Sequence, residues 1–171
     1  MQNVESSSLK YEFTLVGGPK NVYSFQTVNG ISYEITFKPT FYLFGEDSLF
    51  SPFTYEFSII LVNNPLDREP PADLKIPPTI AAIFAEFFKN APQTVIVYIC
   101  DSSDGRQLFR KRKFDRWFEY YKGAFIKIDT SFDEADGTNY PVSLILKGNN
   151  PFRDQVVTQF FSIIDSFNQI K

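Results

Sequence analysis

Near the middle of the chain, Val95 to Cys100 (VIVYIC) is a continuous apolar run rich in β-branched residues. A strand with one solvated face alternates apolar and polar residues, so an unbroken run reads as a strand covered on both faces. A chain with such a strand must supply apolar cover to two sides of one sheet.

Three segments supply it. Thr79 to Asn90 reads as a helix with Ile80, Ile83, Phe84, Phe87 and Phe88 on one stripe, and Pro92 follows its end. After the strand, Ser102, Ser103, Asp104 and Gly105 break the pattern. Asp104, with Gln107 three residues on, fits a capping box that opens a second helix. Its carboxylate suits a free N–H of the first turn and the positive end of the helix dipole. In that helix Phe114, Trp117, Phe118 and Tyr121 keep helical spacing and form the core stripe. Asn150-Pro151 opens the last helix, with Asn as cap and Pro at the first position. Val156, Val157, Phe160, Phe161, Ile163, Ile164 and Phe167 make its apolar face.

The remaining patterns are strands and turns. Lys10 to Val16 alternates, with Tyr11, Phe13 and Leu15 on one face, until Gly17-Gly18-Pro19 stops it. Val22 to Phe37 is a hairpin around Val28-Asn29-Gly30. A two-residue Asn-Gly turn would set Phe25 beside Glu34 and split the apolar residues between two faces. A three-residue loop with Gly30 left-handed pairs Tyr23 with Ile35, Phe25 with Tyr33 and Thr27 with Ile31, which makes one apolar face and is predicted. Phe53 to Val62 is a further strand. Ala124–Asp129 and Val142–Lys147 are two more, joined by an acidic hairpin loop, DEADGTNY.

Lys38 to Pro52 reads as an aromatic loop or a broken strand, with Glu46 and Asp47 at a solvated turn. Asn63 to Pro78 is a long proline-rich connection, either functional or mobile. Residues 1–8 read as a flexible polar tail. Residues 9–171 are expected to form a single α+β domain in the order ββββαβαββα. Three helices would pack on a largely antiparallel sheet of about six to seven strands.

The chain has no histidine and one cysteine, which removes His-based triads, His-ligated metals and internal disulfides. Cys100 is expected to pack as a small apolar residue in the buried strand. No apolar run approaches the roughly 20 residues of a membrane span, and Met1–Ser8 is polar, so a cytoplasmic protein without a membrane partner is expected. Catalysis, if any, would rest on carboxylates, Lys, Arg or Tyr.

The second helix concentrates charge. Residues 106–122 hold seven cationic side chains against Asp115 and Glu119, a net +5 on a chain of −3, so the remainder carries −8. Extended backwards, the core stripe meets Arg110 and Gln107. These are expected to face the sheet near Asp101, forming a polar cluster at the strand end with Asp104 and Arg106. An Asp101–Arg110 ion pair would fix strand to helix. The opposite face carries Phe109, Arg112, Lys113, Arg116 and Tyr120, an exposed basic surface with two rings in it.

Three functions fit. The leading one is a non-enzymatic binding or regulatory protein that uses this basic face toward a protein partner or a second copy of itself. It assigns no catalytic residue, metal or cofactor. A nucleic-acid-binding role for the same face is the first alternative, and an isoelectric point near 5.0 weighs against it. The second alternative is a metal-dependent phosphoryl-transfer or hydrolytic enzyme. Asp101 and Asp104 would hold Mg²⁺ and Arg106 and Arg110 would clamp a phosphate.

YSFxTxxGxxYEIxF from Tyr23, TIAAIF from Thr79, YICDSSDGRQ from Tyr98 and RxRxFxxWF from Arg110 together resemble a family of small uncharacterised bacterial proteins. It is a domain of unknown function found mainly in Bacteroidota. The resemblance spans Tyr23 to Phe118, and the CDSSDGRQ block is its most specific part. It implies a bacterial cytoplasmic protein and supplies no activity and no residue roles.

Overall fold

The computed structural model describes residues 9–100 and 104–169; the predicted tail, 1–8, lies outside them. Seven strands and three helices follow in the predicted order. They are β1 (Phe13–Gly17), β2 (Val22–Gln26), β3 (Ser32–Pro39), β4 (Thr54–Asn63), α1 (Ile76–Phe88), β5 (Val95–Ile99), α2 (Gln107–Tyr121), β6 (Phe125–Asp133), β7 (Asn139–Lys147) and α3 (Arg153–Gln169). The strands form one sheet, β1-β2-β3-β4-β5-β7-β6. Every neighbour pair is antiparallel except β4 and β5, which run parallel and are joined through α1. The chain is a single α+β domain.

β5 is covered on both faces. Ile96 and Tyr98 enter a core with Ile80, Ile83, Phe84 and Phe88 of α1 and Phe114 of α2. Val95 and Val97 enter a second core with Val156, Phe160 and Ile164 of α3. The aromatic loop after β3 completes that second core: Phe44 and Phe50 are buried in it, while Glu46 and Asp47 stay in water. In α3, Phe161 and Phe167 of the predicted apolar face are about half exposed, so the packed stripe is narrower than the sequence suggests. Asn150 and Pro151 lie ahead of the cap and first positions predicted for them, because α3 begins at Arg153; Asn150 Oδ1 accepts the Phe152 N–H at 2.8 Å, a turn just before the helix.

The first hairpin takes the one-faced register. Tyr23 pairs with Ile35 and Phe25 with Tyr33, and the Thr27 N–H reaches the Ile31 carbonyl at 2.9 Å. Gly30 has φ +75°, and a Cβ there would meet the Pro65 ring at 3.4 Å. Replacing Gly30 with alanine is therefore expected to cost roughly 1–2 kcal/mol through left-handed strain, read as a lower urea midpoint with an unchanged slope.

Several boundaries differ from the sequence reading, and β1 begins at Phe13 rather than Lys10. α1 begins at Ile76, not Thr79, because Pro77 and Pro78 fall in its first turn, where a missing N–H breaks no helical bond. β6 and β7 run four and three residues further into the acidic hairpin, leaving Glu134–Thr138 as its loop. Pro141 is tolerated inside β7 because its carbonyl accepts the Cys100 N–H, so its proton-less nitrogen faces the side where β5 ends. The long connection before α1 is pinned: the Tyr11 hydroxyl donates to Asp73 at 2.6 Å, and the Tyr11 N–H donates to Thr79 Oγ1 at 2.8 Å.

Candidate functional site

α2 lies on the sheet face that it shares with α1. Phe114 anchors it, buried with its ring 4.5 Å from Tyr98 and 5.8 Å from Phe57. Trp117 and Phe118 pack beside it half-buried, and Tyr121, expected in the core, is 39% exposed. The stripe opens toward its C-terminal end because α1 does not close over it. Pro77, Ile80, Ala81 and Phe84 of α1 face Phe114, Trp117, Phe118 and Tyr121 of α2 across an open groove.

The predicted outward face is outward. Phe109 and Tyr120 are 56% and 81% exposed, and Arg112, Lys113 and Arg116 are exposed between them. Lys113 Nζ rests 5.0 Å from the centre of the Trp117 ring, so this face runs without a break into the groove.

Arg110 and Gln107 are half-buried, and the expected Asp101–Arg110 ion pair falls on Asp101, outside the described residues. Arg110 forms a two-pronged ion pair with Asp104, a near neighbour in sequence. Arg106 pairs with Glu69 and lies over the Phe109 ring. Gln107 Oε1 is buried without a hydrogen-bond partner among the described residues. Asp104 does not cap as predicted: its Oδ1 accepts the N–H of Arg106, one residue before the helix. The hydrogen bonds from Arg110 and the Arg106 backbone hold its carboxyl below the usual aspartate range.

Lys111 links the helix to the sheet. Its Nζ sits 2.5 Å from Asp115 on the next turn and 3.7 Å from Asp129 of β6. Lys127 of β6, with a side chain 6% exposed, reaches Asp115 at 2.7 Å and Asp129 at 2.6 Å, and Ser143 of β7 donates to Asp129 at 2.7 Å. Two cations and two anions thus cancel in a half-buried cluster between helix and sheet. Burial alone raises the Asp129 pKa. Hydrogen bonds from Lys127 and Ser143 and the two lysine charges outweigh that and leave it lowered. Burial lowers that of Lys111, and Asp115 and Asp129 more than restore it. Cys100 is buried nearby, and loss of hydration pushes its thiol up and leaves it un-ionised at neutral pH.

Two readings from the sequence meet this geometry directly. The metal reading needs Asp104, whose two oxygens are taken by the Arg110 guanidinium; Asp101 lies outside the described residues. Among those residues no group of three or more His, Cys, Asp or Glu side chains is placed to hold a metal ion, and no helix is long and apolar enough to cross a membrane.

Sequence reasoning missed the Lys111–Asp115–Lys127–Asp129 cluster, although β6 carried a sign of it. Phe125, Lys127 and Asp129 share one face of an alternating strand, so a cation and an anion occupy neighbouring core-facing positions.

No curated protein and no solved structure matches the chain. A family model does, over residues 72–162. The match takes in α1, β5, α2, β6, β7 and the first half of α3, together with the whole basic helix and the groove. It begins after the first hairpin, so the resemblance noted from Tyr23 onward is shown only from residue 72. The chain belongs to the family described as a family of unknown function (DUF6169).

Proposed function

We propose that this is a non-enzymatic binding protein that recognises an acidic protein partner through the outward face of α2. One asymmetry carries the reading. Four of the seven cations in residues 106–122 are neutralised within the molecule: Arg106 by Glu69, Arg110 by Asp104, Lys111 by Asp115 and Asp129, and Lys122 by Glu119. The other three, Arg112, Lys113 and Arg116, form no ion pair among the described residues and stand on one exposed stripe with Phe109 and Tyr120. Exposed arginine between aromatic rings is the composition that dominates protein interfaces. A cytoplasmic setting in a bacterium, as the sequence resemblance implies, suits a protein whose one cysteine is buried and free.

The remainder of −8 disfavours nucleic acid, because phosphate-binding proteins spread positive charge over the whole contact surface. The double variant Arg112→Glu/Arg116→Glu is expected to keep its melting temperature, since both side chains are exposed and unpaired, and to lose the partner in affinity capture from host extract. Retention of every captured protein by the double variant defeats the reading. Tight, salt-sensitive binding of a random-sequence DNA or RNA oligonucleotide transfers the face to the alternative.

A further inference from the structure

The basic face does not end at the helix crest. Lys113 lies on the Trp117 ring, and Trp117 is the near wall of the groove between α1 and α2. The groove is almost wholly apolar: Ile80, Phe84 and Phe114 lie deepest, Ala81 leaves space on the α1 side, and Tyr121 opens the mouth. Lys122 at one end is paired with Glu119; the unpaired charges beside the slot are cations, Lys113 along the crest with Arg116 beyond. An apolar slot bordered by uncompensated positive charge complements one kind of ligand: a peptide segment with a bulky apolar side chain flanked by carboxylates.

We infer that the α1/α2 groove receives an aromatic or leucine side chain of an acidic partner segment whose carboxylates meet Lys113, Arg116 and Arg112. This rests on the binding role proposed above and names the partner's chemistry. The apolar anchor supplies affinity by leaving water in a preformed slot, and the rim charges orient it and speed encounter. Without an anchor the exposed charges alone give weak, salt-screened attraction.

The groove carries its own reporter, since Trp117 is the chain's single tryptophan. A random peptide library displayed on phage, selected on the full chain, is expected to return acidic segments with a central Phe, Trp or Leu. A synthetic peptide from that set should shift Trp117 emission to the blue and shield it from iodide. Ala81→Phe fills the slot from the α1 side, and Tyr121→Glu places a negative charge at its mouth. Each should weaken that peptide at least tenfold with the melting temperature held.

If Arg112→Glu/Arg116→Glu abolishes binding while Ala81→Phe and Tyr121→Glu do not, the groove is refuted and the basic face stands. If none of the three matters, or the selected peptides lack acidic residues, both fall. A selected set without apolar anchors overturns the groove. So does a Trp117 already shielded in the purified protein by a co-purified fatty acid, or by a dimer that Ala81→Phe dissociates.

Discussion

Phe57→Ala is expected to destabilise the protein by about 3–5 kcal/mol, the range for emptying a fully buried aromatic site. Phe57 is 1% exposed. Its ring meets Phe37 of β3 at 5.7 Å, Phe84 of α1 at 4.8 Å, Tyr98 of β5 at 5.5 Å and Phe114 of α2 at 5.8 Å. One side chain of β4 therefore touches both helices on its side of the sheet and the strands on either side of its own. Partners on four separate elements cannot all move inward, so the cavity stays open and the cost should fall at the upper end of the range. A loss of this size is a third or more of the stability of a typical domain. Urea denaturation should show it as a lower midpoint, with Phe109→Ala, at an exposed ring, as a control within about 0.5 kcal/mol of the parent. A Phe57→Ala loss below 1 kcal/mol would mean that α1 and α2 are held to the sheet by something other than this aromatic core.

The second large effect belongs to the ionic cluster. Asp115→Ala/Asp129→Ala leaves the nearly buried Lys127 ammonium without a counter-charge, and stranding a buried charge costs about 3–5 kcal/mol. Asp115 and Asp129 are themselves partly exposed, at 29% and 39%, so water softens the loss toward the lower figure. Lys127→Met should cost less than the double variant, because Lys111 still neutralises both aspartates while an apolar side chain fills the lysine's place.

The same groups set a pH dependence. Asp129 titrates below its ordinary value of 3.8 in the folded chain. Its contribution is complete above that value and disappears as the pH falls through the lowered one. Lys111 titrates above its ordinary 10.5. Its contribution is complete below 10.5 and disappears as the pH rises through the raised value. Stability against urea should therefore fall at both acid and strongly alkaline pH, and Lys127→Met should flatten the acid limb. An unchanged acid limb in that variant would place the acid sensitivity elsewhere.

Much of the architecture was legible because it follows from local periodicity. The unbroken run at Val95 demanded cover on two faces, and α1, α2 and α3 provide it. The hairpin register followed from which loop length puts Phe25 and Tyr33 together. The outward stripe of α2 followed from the helical wheel, since exposed residues need no tertiary partner to explain them.

The inward polar residues were not legible in the same way. Projecting the Phe114–Trp117 stripe backwards gave Arg110 and Gln107. Those two are half-buried, and so is Lys111 beside them; only the position of Asp129, on a strand distant in sequence, singles out Lys111 as a link to the sheet. Asp104 misled for a related reason: its carboxylate has two candidate partners, a backbone N–H and an arginine, and propensity weighs only the first. The hairpin strands β6 and β7 outran their prediction because Asp133 and Asn139 are poor strand formers that pairing with each other retains.

The sheet is two antiparallel sections, β1 to β4 and β5-β7-β6, sutured along one parallel contact. That suture is short: Thr54, Tyr55 and Glu56 opposite Val95, Ile96 and Val97. A parallel pair cannot be zipped from a tight turn, so it closes only after the intervening chain has looped back, and the entropy of that loop delays it. Each section can assemble its own hairpins first, and the Phe57 ring, reaching across from one section to helices that belong to the other, acts as the rivet that makes the two a single cooperative body. The family match begins between the two strands of that join, after β4 and before β5, and so covers the section that carries α2.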